Sequence, residues 1–164
     1  RILNVLYLTR TGLLDTPILY LSRYITNTKS DYYRLLQSVR DEEAWEDWVL
    51  YILNGISQTS KLTLWIIEEL RQQIADYKHS IREKLPKLYS QELLNNLFRH
   101  PYTRIEFVQK DLDVTRQTAS RYLESLADHG FIEKHQLGRN KYFLNPPLVK
   151  MLLSISDEYL FSAV

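Results

Sequence analysis

Residues 115–144 place the strongest constraint on the fold, because they predict a capped helix followed by a β-hairpin. The hydroxyl of Thr115 can accept a hydrogen bond from a first-turn amide, which makes it the expected N-cap. Gly130 supplies the left-handed backbone position that ends such a helix. Phe131 and Ile132 begin a strand, and residues 137–140 suit the turn to a return strand over 142–144. Four apolar residues recur at helical spacing and predict one buried stripe: Ala119, Tyr122, Leu123 and Leu126.

The segment before this helix suits a shorter helix and a tight turn. Its apolar residues are Ile105, Val108, Leu112 and Val114. Short helix, turn, longer helix and hairpin follow one another in the order of a winged helix-turn-helix domain. We therefore predict such a domain over residues 89–164, with a final amphipathic helix from Leu148 to Phe161.

Residues 1–88 show helical periodicity throughout and predict an all-helical domain. Thr16 followed by Pro17 is the signal for a cap and a first helical turn, so a second helix is expected from there. From Trp45 a long apolar pattern predicts one helix of about forty residues, or two that meet near residues 54–60. The fold class is thus mainly α: a helical bundle followed by the winged helix with its small β-hairpin.

The predicted recognition helix presents polar side chains on the face opposite its apolar stripe. Residues near the N-terminus of such a helix reach base edges, and Arg and Gln can each make paired hydrogen bonds to a base. The hairpin cations suit phosphate or the minor groove. The predicted DNA-binding residues are Arg116, Gln117, Ser120, Arg121, Arg139 and Lys141.

Charge favours DNA binding only weakly. Residues 90–146 contain eight Lys and Arg against seven Asp and Glu, whereas affinity for DNA rests largely on neutralised phosphates. Glu124 and Asp128 are predicted on the outward face, where they would repel the DNA backbone. Docking of a protein partner, or dimerisation, is the alternative role for this domain.

Composition argues against several kinds of site. The chain has no cysteine, and its four histidines do not pair at metal-ligand spacing, so no metal site is predicted. Its four glycines never cluster, which excludes a P-loop and a dinucleotide fingerprint. The acids of residues 41–47 suit a solvated helix start rather than catalysis. No apolar run has membrane-spanning length, and we expect a cytoplasmic protein without a membrane partner.

The beginning of the chain resembles the C-terminal portion of Fic-domain proteins. Residues 1–8 are similar to the end of the signature HPFxxGNGRxGR and the apolar helix after it. Residues 12–22, residues 31–36 and residues 45–48 resemble later segments of the longer bacterial members, which often carry a C-terminal winged helix. Because the chain starts with Arg1 and its only methionine is Met151, we expect a truncated portion of a longer protein.

The resemblance implies that the full-length parent is a protein adenylyltransferase, which transfers AMP from ATP to a protein hydroxyl group with Mg²⁺ (AMPylation). In that family the motif histidine acts as general base, and glycines and arginines hold phosphates. Here Arg1 alone matches a motif position, as a remnant phosphate-contacting residue, so no catalytic residue and no cofactor are expected in this chain. His100-Pro101 imitates the start of the motif, but no Gly-Asn-Gly follows.

Two functions are therefore open. In the first, the chain is the non-catalytic part of a Fic-type adenylyltransferase, and its partners are double-stranded DNA or the protein target of the parent. In the second, it is a stand-alone winged-helix transcriptional regulator with a helical dimerisation domain. Apolar helix faces suggest a homo-oligomer in either case.

Overall fold

The computed structural model describes residues 2–157, apart from the side chains of residues 2, 4, 156 and 157. The described chain is mainly α-helical with one small antiparallel sheet, as predicted. It divides into two compact units within residues 2–67 and residues 68–157. The predicted domains, 1–88 and 89–164, stay a prediction.

The first unit contains α1 (Ile2–Arg10), α2 (Leu21–Asn27), α3 (Lys29–Glu42) and the beginning of α4 (Trp45–Lys84). Its core is aromatic, with the rings of Tyr24 and Tyr51 5.2 Å apart. The Tyr51 hydroxyl also lies 2.7 Å from the hydroxyl of Thr28. Leu21, Ile25 and Leu35 complete this buried cluster.

In the first unit, one local prediction was wrong and a second was wrong in part. The second helix begins at Leu21 rather than after Thr16, because the chain first turns tightly: the Ile18 amide bonds to the Thr16 carbonyl at 2.8 Å. The acidic run forms a helix start only at Glu46 and Asp47, which lie in the first turn of α4 as predicted. Asp41 lies in the last turn of α3, where it accepts a 2.6 Å hydrogen bond from Gln37, and Glu43 is the left-handed C-cap of that helix.

The prediction of one helix of about forty residues is confirmed, since α4 has 40 residues without a break. Gly55 lies within it and is required by packing. A methyl group at this position would come within 2.5 Å of the Tyr24 ring and 3.0 Å of Leu21. The missing side chain therefore lets α2 approach α4 closely, which outweighs the low helix propensity of glycine.

The second unit contains the last part of α4 and all later elements: α5 (Gln91–Arg99), β1 (Tyr102–Thr103), α6 (Ile105–Leu112), α7 (Arg116–Asp128), β2 (Glu133–Leu137), β3 (Asn140–Leu144) and α8 (Pro146–Asp157). The sheet has the order β1-β3-β2, with both pairs antiparallel. β2 and β3 form the predicted hairpin, whereas β1 was not predicted. Phe131 and Ile132, expected to begin the strand, are buried just before it.

Side-chain caps fix the starts of α5, α7 and α8 in this unit. The Ser90 hydroxyl accepts a hydrogen bond from the Leu93 amide at 3.1 Å, and the Thr115 hydroxyl accepts one from the Thr118 amide at 3.2 Å. Asn145 caps α8 in the same way, through the Leu148 amide at 3.3 Å. The final helix therefore starts at Pro146, two residues earlier than predicted, because proline suits the first helical position. Phe161 lies outside the described residues.

Candidate nucleic-acid interface

The helix α7 carries the predicted readout residues, and its amphipathic pattern determines which way they face. Ala119, Leu123 and Leu126 are fully buried in the core of the second unit. The opposite face therefore points to solvent, and Arg116, Gln117 and Arg121 are exposed on it. The prediction of an inward apolar stripe is confirmed for Ala119, Leu123 and Leu126.

Two turns position the groups around α7. Asp113 adopts a left-handed conformation (φ 51°) between α6 and α7, and the amide of Val114 bonds to the Gln109 carbonyl at 3.2 Å. Gly138 is also left-handed (φ 60°), in the two-residue turn of the hairpin. Glycine adopts a positive φ at no steric cost, which allows this tight turn. Arg139 is the other residue of the turn, so it lies at the hairpin tip.

The six predicted DNA-binding residues line one open groove of about 700 Å³. The helix α7 contributes four of them, and the hairpin contributes two. Residues 23 positions apart in sequence, Arg116 and Arg139, thus lie along the same depression. Its lining comprises Arg104, Ile105, Glu106, Arg116, Gln117, Ser120, Arg121, Glu124, Arg139, Asn140 and Lys141.

The charge of this groove differs from that of the segment as a whole. Five Lys and Arg side chains line it against two Glu side chains, whereas residues 90–146 are nearly neutral. Among the described residues, neither Arg121 nor Arg139 has a carboxylate at ion-pair distance. The fold therefore concentrates positive charge in the groove, although the net charge of residues 90–146 is close to zero.

Glu124 does not present a free carboxylate to the groove, contrary to the sequence-based expectation. Both of its oxygens accept hydrogen bonds from Lys134 Nζ, at 2.8 and 2.7 Å, and Lys141 Nζ lies 3.4 Å away. The Lys134 hydrogen bond is the main reason that the pKa of Glu124 is lowered. The side chain therefore stays charged but is locally neutralised. Asp128 is exposed at the other end of α7 and does not line the groove.

Arg104 is a groove residue that sequence reasoning missed. Its guanidinium lies over the rings of Tyr142 and Phe107, with 5.4 and 5.7 Å to their centroids. The same guanidinium forms a 2.9 Å ion pair with Glu106 Oε2. The other carboxylate oxygen of Glu106 lies 3.9 Å from the guanidinium of Arg116. The useful signal was position: Arg104 immediately precedes α6, the first of the two helices next to the groove.

No second kind of site emerges from the described residues. Among residues 2–157, no group of three or more His, Asp and Glu side chains could hold a metal ion, and Gly12, Gly55, Gly130 and Gly138 lie far apart in sequence. Arg1, the predicted phosphate remnant, lies outside the described residues. No described helix has the length and apolar character needed to cross a membrane.

Residues 73–148 match the family model described as "Protein adenylyltransferase SoFic-like, C-terminal domain". This segment is similar to that C-terminal domain, and we call residues 73–148 the SoFic-like domain. The predicted relationship to the C-terminal portion of Fic proteins is thereby confirmed. The SoFic-like domain includes every residue that lines the groove, together with α5, α6, α7 and the three strands.

Proposed function

We propose that the SoFic-like domain of this chain is a winged helix that binds double-stranded DNA through the groove between α7 and the hairpin. The observation that supports it is the assembly of five cations and two neutral polar readout side chains, Gln117 and Ser120, along one surface. Phosphate neutralisation supplies most of the affinity of such interfaces. Base contacts then supply the sequence preference.

Each wall of the groove has a distinct part in this proposal. The first half of α7 enters the major groove, where Gln117 and Arg121 contact base edges. Arg139 at the hairpin tip contacts the adjacent minor groove or its phosphates. Arg104, held by Glu106 and Tyr142, contacts the DNA backbone beside the start of α6.

Fluorescence anisotropy with labelled duplex DNA over a range of salt concentrations tests the proposal. We expect measurable affinity that falls as salt rises. Arg121→Ala should weaken binding by about 1–3 kcal/mol, the range of a lost base contact. Arg71→Ala is the matched control, because Arg71 is exposed on α4 outside the groove. Equal binding by both variants, or no binding by the unsubstituted chain, would refute the proposal.

The family assignment carries a second part of the proposal. The chain has the Fic-type adenylyltransferase origin that its domain indicates, and we infer that its parent transfers AMP from ATP to hydroxyl groups of a target protein with Mg²⁺. The printed sequence lacks the motif HPFxxGNGRxGR, so this chain would serve the parent by recruiting DNA or a protein partner. This origin favours that role over a stand-alone transcriptional regulator.

Incubation with labelled ATP, Mg²⁺ and a cell lysate tests the second part. We expect no AMP transfer by the chain itself. Robust Mg²⁺-dependent labelling of any protein would contradict the view that the catalytic groups lie elsewhere. The result is independent of the DNA titration, because AMP transfer and DNA binding are measured on separate substrates.

A further inference from the structure

We propose that Glu124 is a positioning residue, which holds the β2–β3 hairpin against α7 so that Arg139 and Lys141 face the same DNA as Arg121. The hairpin part of this inference stands on the geometry alone. The DNA part rests on the proposed function of the groove.

The first argument is the contact itself. One carboxylate on α7 engages two lysines that lie on different strands, Lys134 on β2 and Lys141 on β3. Lys134 bonds to both carboxylate oxygens, which restricts rotation of the pair more than one contact would. Glu124 therefore links the helix to both strands of the hairpin at once.

The strand register places both lysines on the inner face of the hairpin. Lys134 pairs with Phe143 and Gln136 pairs with Lys141, and cross-strand partners point to the same face. Phe143 is fully buried in the core of the second unit. Lys134, opposite Phe143, and Lys141, two residues nearer the turn, therefore share the face that Phe143 anchors in the core, and both contact Glu124.

Apart from the core packing of Phe143 at its base, the hairpin has few attachments to α7. Every residue of β2 is exposed, so apolar burial anchors that strand weakly. Among the described residues, every side-chain hydrogen bond and ion pair between α7 and the hairpin ends on Glu124. Loss of this carboxylate would release the hairpin tip, which carries Arg139.

This role and a purely electrostatic one predict opposite results for Glu124→Gln. As an isolated anion, Glu124 would repel phosphate, so its neutralisation would strengthen DNA binding. As a positioning residue, Glu124 aligns Arg139 and Lys141 with the DNA, so its neutralisation would weaken DNA binding. Asp128→Asn is the matched control, since it removes the same charge from the same helix without touching the hairpin lysines.

The test combines amide hydrogen exchange of the free protein with duplex DNA anisotropy. For Glu124→Gln, we expect exchange of the hairpin amides to rise about two- to fivefold, the range of a partly exposed ion pair. Lys134→Gln should do the same, and Asp128→Asn should leave the hairpin unchanged. DNA affinity should fall about threefold in Glu124→Gln and rise slightly in Asp128→Asn. Thermal unfolding of each variant, followed by its α-helical signal, should match that of the unsubstituted chain. This match would separate the loss of hairpin positioning from a general folding defect.

Each other result has one meaning. Unchanged hairpin exchange in Glu124→Gln overturns the inference, whatever DNA does. Tighter DNA binding by Glu124→Gln, at the level of Asp128→Asn, overturns its DNA part. Absence of DNA binding by the unsubstituted chain refutes the proposed function of the groove, and the exchange experiment still decides whether Glu124 holds the hairpin.

Discussion

The hydroxyl of Tyr77 donates a 2.7 Å hydrogen bond to the backbone carbonyl of Phe131, 54 residues further along the chain. It also lies 3.1 Å from Asn145 Oδ1. The Asn145 amide in turn donates to the Leu97 carbonyl at 3.1 Å. Buried polar groups need such partners, so this network fixes how α4, α5 and the start of α8 meet around the core that supports the groove.

Asn145→Ala should destabilise the SoFic-like domain. Asn145 is 1 % exposed and bonds through both side-chain atoms, so its loss leaves the Leu97 carbonyl and the Leu148 amide without this partner. We expect the free energy of unfolding, measured by denaturant titration, to fall by about 2–4 kcal/mol. Asn95→Ala is the control, since Asn95 is exposed on α5 and should change stability by less than about 0.5 kcal/mol. If Asn145→Ala and Asn95→Ala changed the free energy of unfolding equally, the network would not stabilise the domain.

Tyr77 should make stability fall at alkaline pH. Burial raises its pKa to about 12 from the ordinary value of 10.0. The unfolded chain therefore loses the proton first, and the stabilisation is complete below pH 10 and lost as pH rises towards 12. Between pH 9 and pH 11, the unsubstituted chain should lose about 1 kcal/mol more stability than Tyr77→Phe. Tyr33→Phe removes an exposed phenol and should behave like the unsubstituted chain; parallel pH profiles for all three would contradict the assignment.

Gly55→Ala should destabilise the first unit although alanine favours helices. The added methyl would meet the Tyr24 ring at 2.5 Å, and that ring is buried against Tyr51. Overpacking costs about 1–3 kcal/mol, whereas the propensity gain is about 1 kcal/mol. The difference is a net loss of up to about 2 kcal/mol, which thermal or denaturant unfolding would measure. Ser57→Ala, at an exposed position two residues on, should be neutral or stabilising; a stabilised Gly55→Ala would show that α2 can move away from α4.

Local sequence signals were sufficient for much of the second unit. Ser90 and Thr115 carry their caps within three residues, and Gly138 determines the hairpin turn by itself. The periodicity of α7 was also enough to predict that Arg116, Gln117, Ser120 and Arg121 share one exposed face, and all four line the groove. These features depend on short-range chemistry, which a single sequence displays directly.

The missed features depend on partners that are distant in sequence. β1 has only two residues, and it is a strand because Tyr102 and Thr103 pair with β3 some forty residues later. Glu124 looked like a free acid because its partners, Lys134 and Lys141, lie on the hairpin. Trp45 begins the long apolar pattern that predicts α4, yet its side chain is exposed, since periodicity alone does not say which part of a broad apolar face is covered.

Leu53→Glu should reduce self-association of this chain. Leu50, Leu53 and Leu64 are 56 %, 55 % and 60 % exposed on α4, at spacings that place them along one face of the helix. Exposed apolar patches of this kind mark association sites, so we expect the unsubstituted chain to form dimers or larger species in sedimentation velocity. Leu53→Glu should shift it towards monomer without loss of helical signal, because the position is not in the core. Ser30→Glu adds the same charge at an exposed position of α3 and should leave association unchanged. A chain that is monomeric at every concentration would refute the expectation of a homo-oligomer.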